Sequence, residues 1–375
     1  MSGAEHMNDT NELVVDVVVI GGGQAGLSAS YYLRKSDLDF VILDAQRNPG
    51  GAWQRGWNSL RLFSPAEYSS LPGRQMPPSK GDGFPTRIEV LNYLEDYENR
   101  YRLPIERPVR VQNIEKQPNA LRVQTDNGTW LAKAVISATG TWSKPYIPHY
   151  DGAETFRGQQ LHSAEYVSPE GLTGKSILII GGGNSGAQIY AELSRVAGTI
   201  WATLHPPKFL PDDVDGRVLF DRASARYGEG SPQGGAPLSD LGDIVMVPSV
   251  LEARDRGILR SVRPPVRFTE DRVVWEDGTT TAVDAVVWCT GFHPALDHLD
   301  GLGIKQTDGK IAVTGTRSID EPRLWLLGYG DWTGFASATL VGSARTARDT
   351  VREIERCVES NETAHKSVTG QPDHI

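Results

Sequence analysis

LVVDVVVIGGGQAGLSASYYLRKSDLDFVILD, residues 13–44, carries several structural instructions in one short run. Residues 14–20 are apolar and mostly β-branched, the composition of a strand covered on both faces. Gly21, Gly23 and Gly26 follow in GxGxxG spacing, residues 27–34 read as a helix, and a second apolar run at 40–43 ends in Asp44. Strand, glycine turn, helix, strand and acid, in that order, form a βαβ unit that binds a dinucleotide. The first glycine permits the tight turn, the second lets the backbone approach a pyrophosphate, and the third lets helix and strand pack closely. The helix N-terminus offers free N–H groups and a positive dipole end to the phosphates, which adds Gln24 and Ala25 to the candidate contacts. Asp44 stands where a carboxylate accepts from ribose hydroxyls.

The chain repeats the instruction. In SILIIGGGNSGAQIYAELSRVAGTIWATLH, residues 176–205, Gly181, Gly183 and Gly186 lie 160 positions after the first set (181 − 21). A helix is expected over 187–197 and a strand over 199–204, with Asn184 and Ser185 at the helix start. The same offset maps Asp44 onto Leu204, so this copy lacks the ribose carboxylate. His205, Lys208 and Arg195 are the nearby basic groups, a pattern that favours a 2′-phosphate and hence NADP over NAD. Two units imply two dinucleotides: a held flavin on the first, and on the second a nicotinamide that passes it a hydride.

Between and after the units, strands are expected at 107–115, 121–125, 130–137, 266–268, 272–275, 285–288 and 324–327, and a short helix at 250–256. Ala138-Thr139-Gly140 and Cys289-Thr290-Gly291 each follow an apolar strand and mark crossing points between domains. A long helix is expected from about 334 to 358, its N-terminus directed at a flavin ring, with Asp331 just before it. Just ahead of the second glycine turn lies FRGQQLHSAEY, residues 156–166, a polar loop with one histidine and an aromatic residue at each end.

The bulk numbers exclude several classes. With 375 residues there is room for two or three domains, and the net charge of −9 argues against nucleic acid or an anionic membrane as partner. No apolar run reaches the roughly 20 residues that span a bilayer. The N-terminus lacks the basic and apolar segments of a secretory signal, so a cytoplasmic enzyme is expected. The two cysteines, Cys289 and Cys357, form no CxxC pair, and no metal site is expected.

With these pieces in place, the sequence resembles the class B flavin-dependent monooxygenases. That family carries FxGxxxHxxx(Y/F/W) just before its second GxGxxG, matched here by Phe156, Gly158, His162 and Tyr166. Its GGxW appears as Gly50-Gly51-Ala52-Trp53. Tyrosine at the last fingerprint position is similar to the N- and S-oxygenating and YUCCA-like branches. RPPVRFTE, VVWCTGFHPALDHL and GDWTGFASATLVG are similar to a small bacterial subgroup often encoded in arsenic-resistance operons. One departure stands out. Animal-type members carry an asparagine in an NxxK context, and in Trp57–Pro65 that place falls to Ser64 or Phe63.

The resemblance implies an α/β fold of two Rossmann-like domains, the NADP domain inserted into the FAD domain. The FAD domain is expected to take 13–155 plus 290–358 and the NADP domain 156–289, with flexible tails at 1–12 and 360–375. Trp53, Val111, Thr139, Gly140 and Asp331 would join the first glycine turn around FAD, Asp331 on the ribityl chain or, as the alternative, as a helix-capping or turn aspartate. NADPH would reduce the flavin. A C4a-(hydro)peroxyflavin formed with dioxygen would then insert one oxygen into a soft nucleophile (nitrogen, sulfur or trivalent arsenic) of a small molecule. His162 and Ser64 are the candidate catalytic groups, His162 with a structural role at the junction as the alternative. Trp53, Trp57, Phe63, Tyr68, Trp332 and Phe335 would wall a pocket on the flavin side, with core packing as the alternative for each. Two other readings stay open: a flavoprotein reductase or oxidase without oxygen insertion, and a non-catalytic redox sensor. Oligomeric state is also open, a homodimer among the options.

Overall fold

A computed structural model describes residues 12–369 except 82, 213, 215–242 and 335. The chain enters through β1 (Glu12–Ile20), α1 (Gln24–Leu33) and β2 (Phe40–Leu43), then α2 (Arg87–Tyr101) and β3 (Ile105–Glu106). An antiparallel meander follows, β4 (Val111–Lys116), β5 (Leu121–Thr125) and β6 (Gly128–Ser137). β6 returns alongside β1 in parallel, with Ile20 opposite Ser137.

The chain then leaves for a second sheet. It is built from β7 (Gln159–His162), β8 (Ser176–Ile180), α3 (Asn184–Leu193), β9 (Gly198–Ala202), α4 (Pro248–Asp255), the hairpin strands β10 (Arg267–Phe268), β11 (Arg272–Val274) and β12 (Thr280–Ala282), and β13 (Ala285–Trp288). Four of these strands form a parallel sheet in the order β7-β13-β8-β9. After the small ribbon of β14 (Gln306–Thr307) and β15 (Lys310–Ile311), the chain rejoins the first sheet. It does so through β16 (Val313–Thr314), β17 (Arg317–Ser318) and β18 (Leu324–Leu326), β18 lying parallel to β6. The chain ends on α5 (Leu340–Thr369).

Alternation along the parallel strands explains the three-layer build. Val17 and Val19 face Ala25, Ala29, Leu33, Ala347, Val351 and Ile354 of α1 and α5. Val18 and Ile20 face the meander and Leu299 and Leu302 on the other side. Burying such a side chain is worth roughly 1.5–3 kcal/mol, so both faces hold each strand. The second sheet repeats this: Ile177 and Ile179 pack on the α3 side, Leu178 and Ile180 on the hairpin side with Phe156, Phe268 and Trp288.

Several expected boundaries shift. The helix expected from 334 starts at Leu340, because Gly334 (φ 123°) and Ala336 (φ 55°) turn the chain left-handed first. Thr339 then caps the helix, its Oγ1 accepting from Gly342 N–H at 3.1 Å. The helix also continues to Thr369, so 360–369 is helical rather than a tail, and Glu12 already belongs to β1. The strand expected over 107–115 begins only at Val111, and Arg107 is freed for an ion pair. Of the expected tails, 1–11 and 370–375 lie outside the described residues.

Candidate active site

The carboxyl ends of β1 and β6 and the start of α1 open onto one cleft of about 1180 Å³. It runs from Gly21, Gly23, Gln24 and Ala25 past Thr139 and Gly140 to Asn184 and Ser185 at the start of α3. One space therefore joins the first glycine turn to the start of the helix that follows the second. The turns are built alike. A Cβ on Gly26 would stand 2.0 Å from Gly21 O, and one on Gly186 2.2 Å from Gly181 O, so helix and strand can pack only through glycine. Gly21 and Gly181 both need positive φ, 104° and 139°. At Gly23 the nearest atom to a Cβ is 3.9 Å away, and at Gly183 nothing lies within 4 Å. The middle glycines thus leave open room beside free helix N–H groups, which fits phosphate.

Asp44 lines the cleft with its carboxylate held from behind. Arg107 donates from Nε (2.9 Å) and Nη2 (2.6 Å) to Asp44 Oδ2, and from Nη1 (2.9 Å) and Nη2 (3.1 Å) to Glu98 on α2. All three side chains are nearly buried, at 11%, 6% and 8% exposed. Burial pushes the Glu98 carboxyl above its usual range, and Arg107 opposes that shift. α2 itself is secured by a capping box between Thr86 and Glu89. Its Tyr93, Tyr97 and Tyr101 donate to the carbonyls of Arg74, Pro72 and Gly73. These bonds pin the segment that follows the cleft-lining residues Tyr68 and Ser69.

Trp53, Trp57, Phe63, Tyr68, Ser64 and Val111 line the cleft. Trp53 donates from Nε1 to Gln24 Oε1 (3.1 Å), and Gln24 donates on to Ala338 O (2.5 Å), tying three segments together at the first turn. Ser69 gives its proton to Pro65 O (2.9 Å), so Ser64 must donate to Ser69 Oγ (2.8 Å). Ser64 therefore turns lone pairs, and no proton, to the cleft.

Other expected residues lie elsewhere. Asp331 is exposed and begins a single turn off the cleft, and Trp332 packs on the Tyr329 ring instead of walling it. Phe335 lies outside the described residues. His205 and Lys208 are exposed at the tip beyond β9, away from the cleft. The sequence reading missed Arg263, which donates from Nη1 to the carbonyl of Leu204 at that same tip. Val262 docks in parallel beside Ala202 and brings Arg263 there, a pairing no local pattern announces.

His162 needs the largest correction. It is 1% exposed and does not line the cleft. Its Nδ1 accepts from Ala164 N–H (3.1 Å), which leaves Nε2 to donate to Gly291 O (3.0 Å). Its ring stands edge-on to Phe292 at 4.9 Å, and burial lowers its pKa, so it stays neutral. With both nitrogens committed, it has no proton to exchange with a ligand. The other fingerprint residues are likewise packed. Phe156 abuts Phe268, a Cβ on Gly158 would stand 2.7 Å from Asp284 O, and the buried Tyr166 donates to Glu192 at 2.7 Å. His162→Ala is expected to cost about 2–3 kcal/mol of stability, with flavin reduction at saturating nicotinamide changed less than about threefold. Chemical denaturation and rapid-mixing reduction on one preparation check this. A loss of reduction with unaltered stability would restore the catalytic role.

Beside Thr139, His298 is 7% exposed, and burial pushes its imidazole down to about 4. The unfolded state keeps an ordinary value near 6.5, so it takes up protons first as pH falls. Stability is then full above about pH 6.5 and drops by about 3 kcal/mol on the way to pH 4. His298→Gln should flatten that part of the acid limb in urea titrations at pH 7, 5.5 and 4.5.

Among the described residues there is no cluster of side chains fit to hold a metal ion, and no helix long and apolar enough to cross a membrane. Cys289 is partly buried, desolvation pushing its thiol up to about 12, and with Cys357 in α5 packed in a different core there is no dithiol pair. A cleft joining the first glycine turn to the helix that follows the second, without a dithiol, defines a flavoprotein that takes reducing equivalents from a nicotinamide.

Comparison with known proteins narrows this class. The chain belongs to the pyridine nucleotide-disulphide oxidoreductase family, whose model matches residues 18–207, and within it to the class B flavin-dependent monooxygenases. It is 55% identical to a flavin-containing monooxygenase from Stenotrophomonas maltophilia of known structure, with a TM-score of 0.84 over 92% of this chain and 99% of that one. It is 33% identical to a CzcO-like oxidoreductase of Geobacillus kaustophilus over 88% of this chain and 94% of the relative. It is also 25% identical to the probable indole-3-pyruvate monooxygenase YUCCA7 of Arabidopsis thaliana, over 90% and 86% of the two chains. The protein is a flavin-dependent monooxygenase that uses dioxygen and a small-molecule substrate.

Proposed function

We propose that the flavin is FAD, the reductant NADPH, and the substrate a small molecule with a soft nucleophilic nitrogen, sulfur or trivalent arsenic. One observation carries this reading: the single cleft that joins the first glycine turn, with its acid, to the start of α3. The assigned FAD domain is 13–155 with 290–358, and the NADP domain 156–289. The mixed nine-stranded sheet draws its strands from the first of these and the parallel four-stranded sheet from the second. FAD bound along the first glycine turn would supply the oxygen chemistry, a C4a-(hydro)peroxyflavin being the species that the proposal requires. NADPH, a proton, dioxygen and substrate give NADP⁺, water and the oxygenated product.

The chain's own residues bind, orient and exclude water. Gly21, Gly23, Gln24, Ala25 and Gly26 take the pyrophosphate, and Asp44, aimed by Arg107, takes ribose hydroxyls. Thr139, Gly140 and Val111 complete that wall. Trp53, Trp57, Phe63 and Tyr68 give the cleft an aromatic wall. Gly181, Gly183, Asn184, Ser185 and Gly186 take the NADPH pyrophosphate. Leu204 leaves the 2′-phosphate unopposed, with His205, Lys208 and Arg263 as nearby cations. His162 holds the domain junction, and Ser64 is an acceptor on the flavin side.

Rapid mixing of reduced protein with air-saturated buffer tests the reaction, alongside mass spectrometry of amines, sulfides, indoles and trivalent arsenicals. A transient C4a-(hydro)peroxyflavin absorbance and a one-oxygen gain are expected. Reoxidation without either would leave a reductase or oxidase. For the reductant, Leu204→Asp should lower the NADPH:NADH ratio of kcat/KM by about tenfold or more, the effect of one misplaced charge. An unaltered ratio would remove the ribose-site assignment.

A further inference from the structure

At the end of β6 a chain of side chains runs in one direction only. Thr139 Oγ1 lies 2.7 Å from Ala295 O, and a carbonyl can only accept, so Thr139 donates there. Tyr329 Oη, 2.7 Å from Thr139 Oγ1, must then be the donor to it. Ser137 Oγ, 2.5 Å from Tyr329 Oη, must donate in turn, and His298 Nε2, 3.0 Å from Ser137 Oγ, must carry a proton and donate last. Ser137 is fully buried, Tyr329 is 4% exposed and His298 7%. The sequence places these residues up to 192 positions apart, and none of them except Thr139 was a candidate.

This chain fixes the tautomer of His298. With the proton on Nε2, Nδ1 is a bare acceptor. Nδ1 has no hydrogen-bond partner among the described residues, and it is not among the buried polar atoms left unsatisfied. It therefore keeps some contact with solvent, and His298 lines the cleft together with Thr139, Ala295 and Gly328. Gly328 and Ala25 meet behind it, where a Cβ on Gly328 would stand 2.6 Å from Ala25 Cβ, so this wall adjoins the first glycine turn.

We infer that His298 is a binding residue for the flavin dinucleotide, its Nδ1 accepting from a sugar-type hydroxyl, and that Ser137, Tyr329 and Thr139 are positioning residues that hold it in the accepting tautomer. This rests on the assignment of FAD to the first unit. A hydroxyl fits because it donates one proton without charge, whereas an anion brings no proton for the Nδ1 lone pair to accept.

The test is FAD affinity of the deflavinated full-length chain, read by flavin fluorescence quenching at pH 8. His298→Gln keeps a donor for Ser137 at the Nε2 position and leaves the Nδ1 position empty. Its FAD dissociation constant should rise about tenfold, the worth of one hydrogen bond in a sheltered site, with the urea midpoint unchanged. FMN and ADP, measured in parallel, separate a ribityl hydroxyl from one on the adenosine ribose, since only the responsible fragment should weaken. In the wild type, ¹⁵N spectra of histidine-labelled protein should show Nε2 protonated, and the Nδ1 resonance, assigned through its absence in His298→Gln, should shift on adding FAD. Unchanged FAD affinity in His298→Gln, or a proton on Nδ1, overturns the inference and leaves the FAD assignment standing. Failure of the wild type to take up FAD overturns both.

Discussion

Arg107→Ala is expected to destabilise the protein by about 3–5 kcal/mol and to leave it without flavin. The magnitude is that of a buried ion pair with one partner removed. Two carboxylates would remain, Asp44 and Glu98, each over nine-tenths buried and facing one another across the space the guanidinium filled. The pair packs directly against the first glycine turn, where a Cβ at Gly22 would stand 2.7 Å from both Asp44 Oδ2 and Arg107 Nη2. Arg107→Lys should recover only part of the loss, since one ammonium cannot fork to both acids as the guanidinium does. Urea unfolding followed by tryptophan fluorescence gives the first quantity and the absorbance of the purified protein near 450 nm the second. A wild-type midpoint in Arg107→Ala would mean that the triad contributes nothing.

The second large effect separates the two units. Gly26→Ala and Gly186→Ala each put a methyl group within about 2 Å of a backbone oxygen, closer than any real contact, so the turn must open. Gly26→Ala is expected to purify colourless. Gly186→Ala should keep its flavin colour, while flavin reduction by NADPH slows at least a hundredfold, the loss expected when a pyrophosphate cradle is forced open by about 3 kcal/mol or more. Dithionite should still reduce it. A colourless Gly186→Ala protein, or a coloured Gly26→Ala one, would reverse the assignment of cofactors to units.

These outcomes bear on what could be read from the chain before its fold was seen. The two βαβ units were legible because strand, glycines and helix, with an acid in the first, lie within about thirty residues of one another and each serves a local purpose. Asp44 was legible for that reason. The arginine that aims it was not, because Arg107 stands 63 positions away and sat inside a run that reads as a strand. Arg263 at Leu204, 59 positions off, and His298 at Ser137, 161 positions off, escaped in the same way. The long helix was visible from Ala347, Val351, Ile354 and Val358 on one face, but its start was not. Ala336 adopts a left-handed conformation that its residue type does not advertise. The fingerprint shows the opposite limit. Its residues identify the family, yet nothing in their spacing tells that His162 spends both nitrogens on backbone atoms.

That same histidine bears on how the two halves can move. The outgoing and returning crossings lie side by side as a short antiparallel ribbon: Tyr146 N–H donates to Gly291 O, His293 N–H to Lys144 O, and Pro145 faces Phe292. His162 adds a third attachment on the same Gly291 carbonyl. A two-ply strap resists twisting about its length and splaying in its own plane, and yields most easily by flexing out of that plane. Any opening of the cleft should therefore follow a single arc, carrying the start of α3 toward or away from the first glycine turn without rotating one dinucleotide against the other.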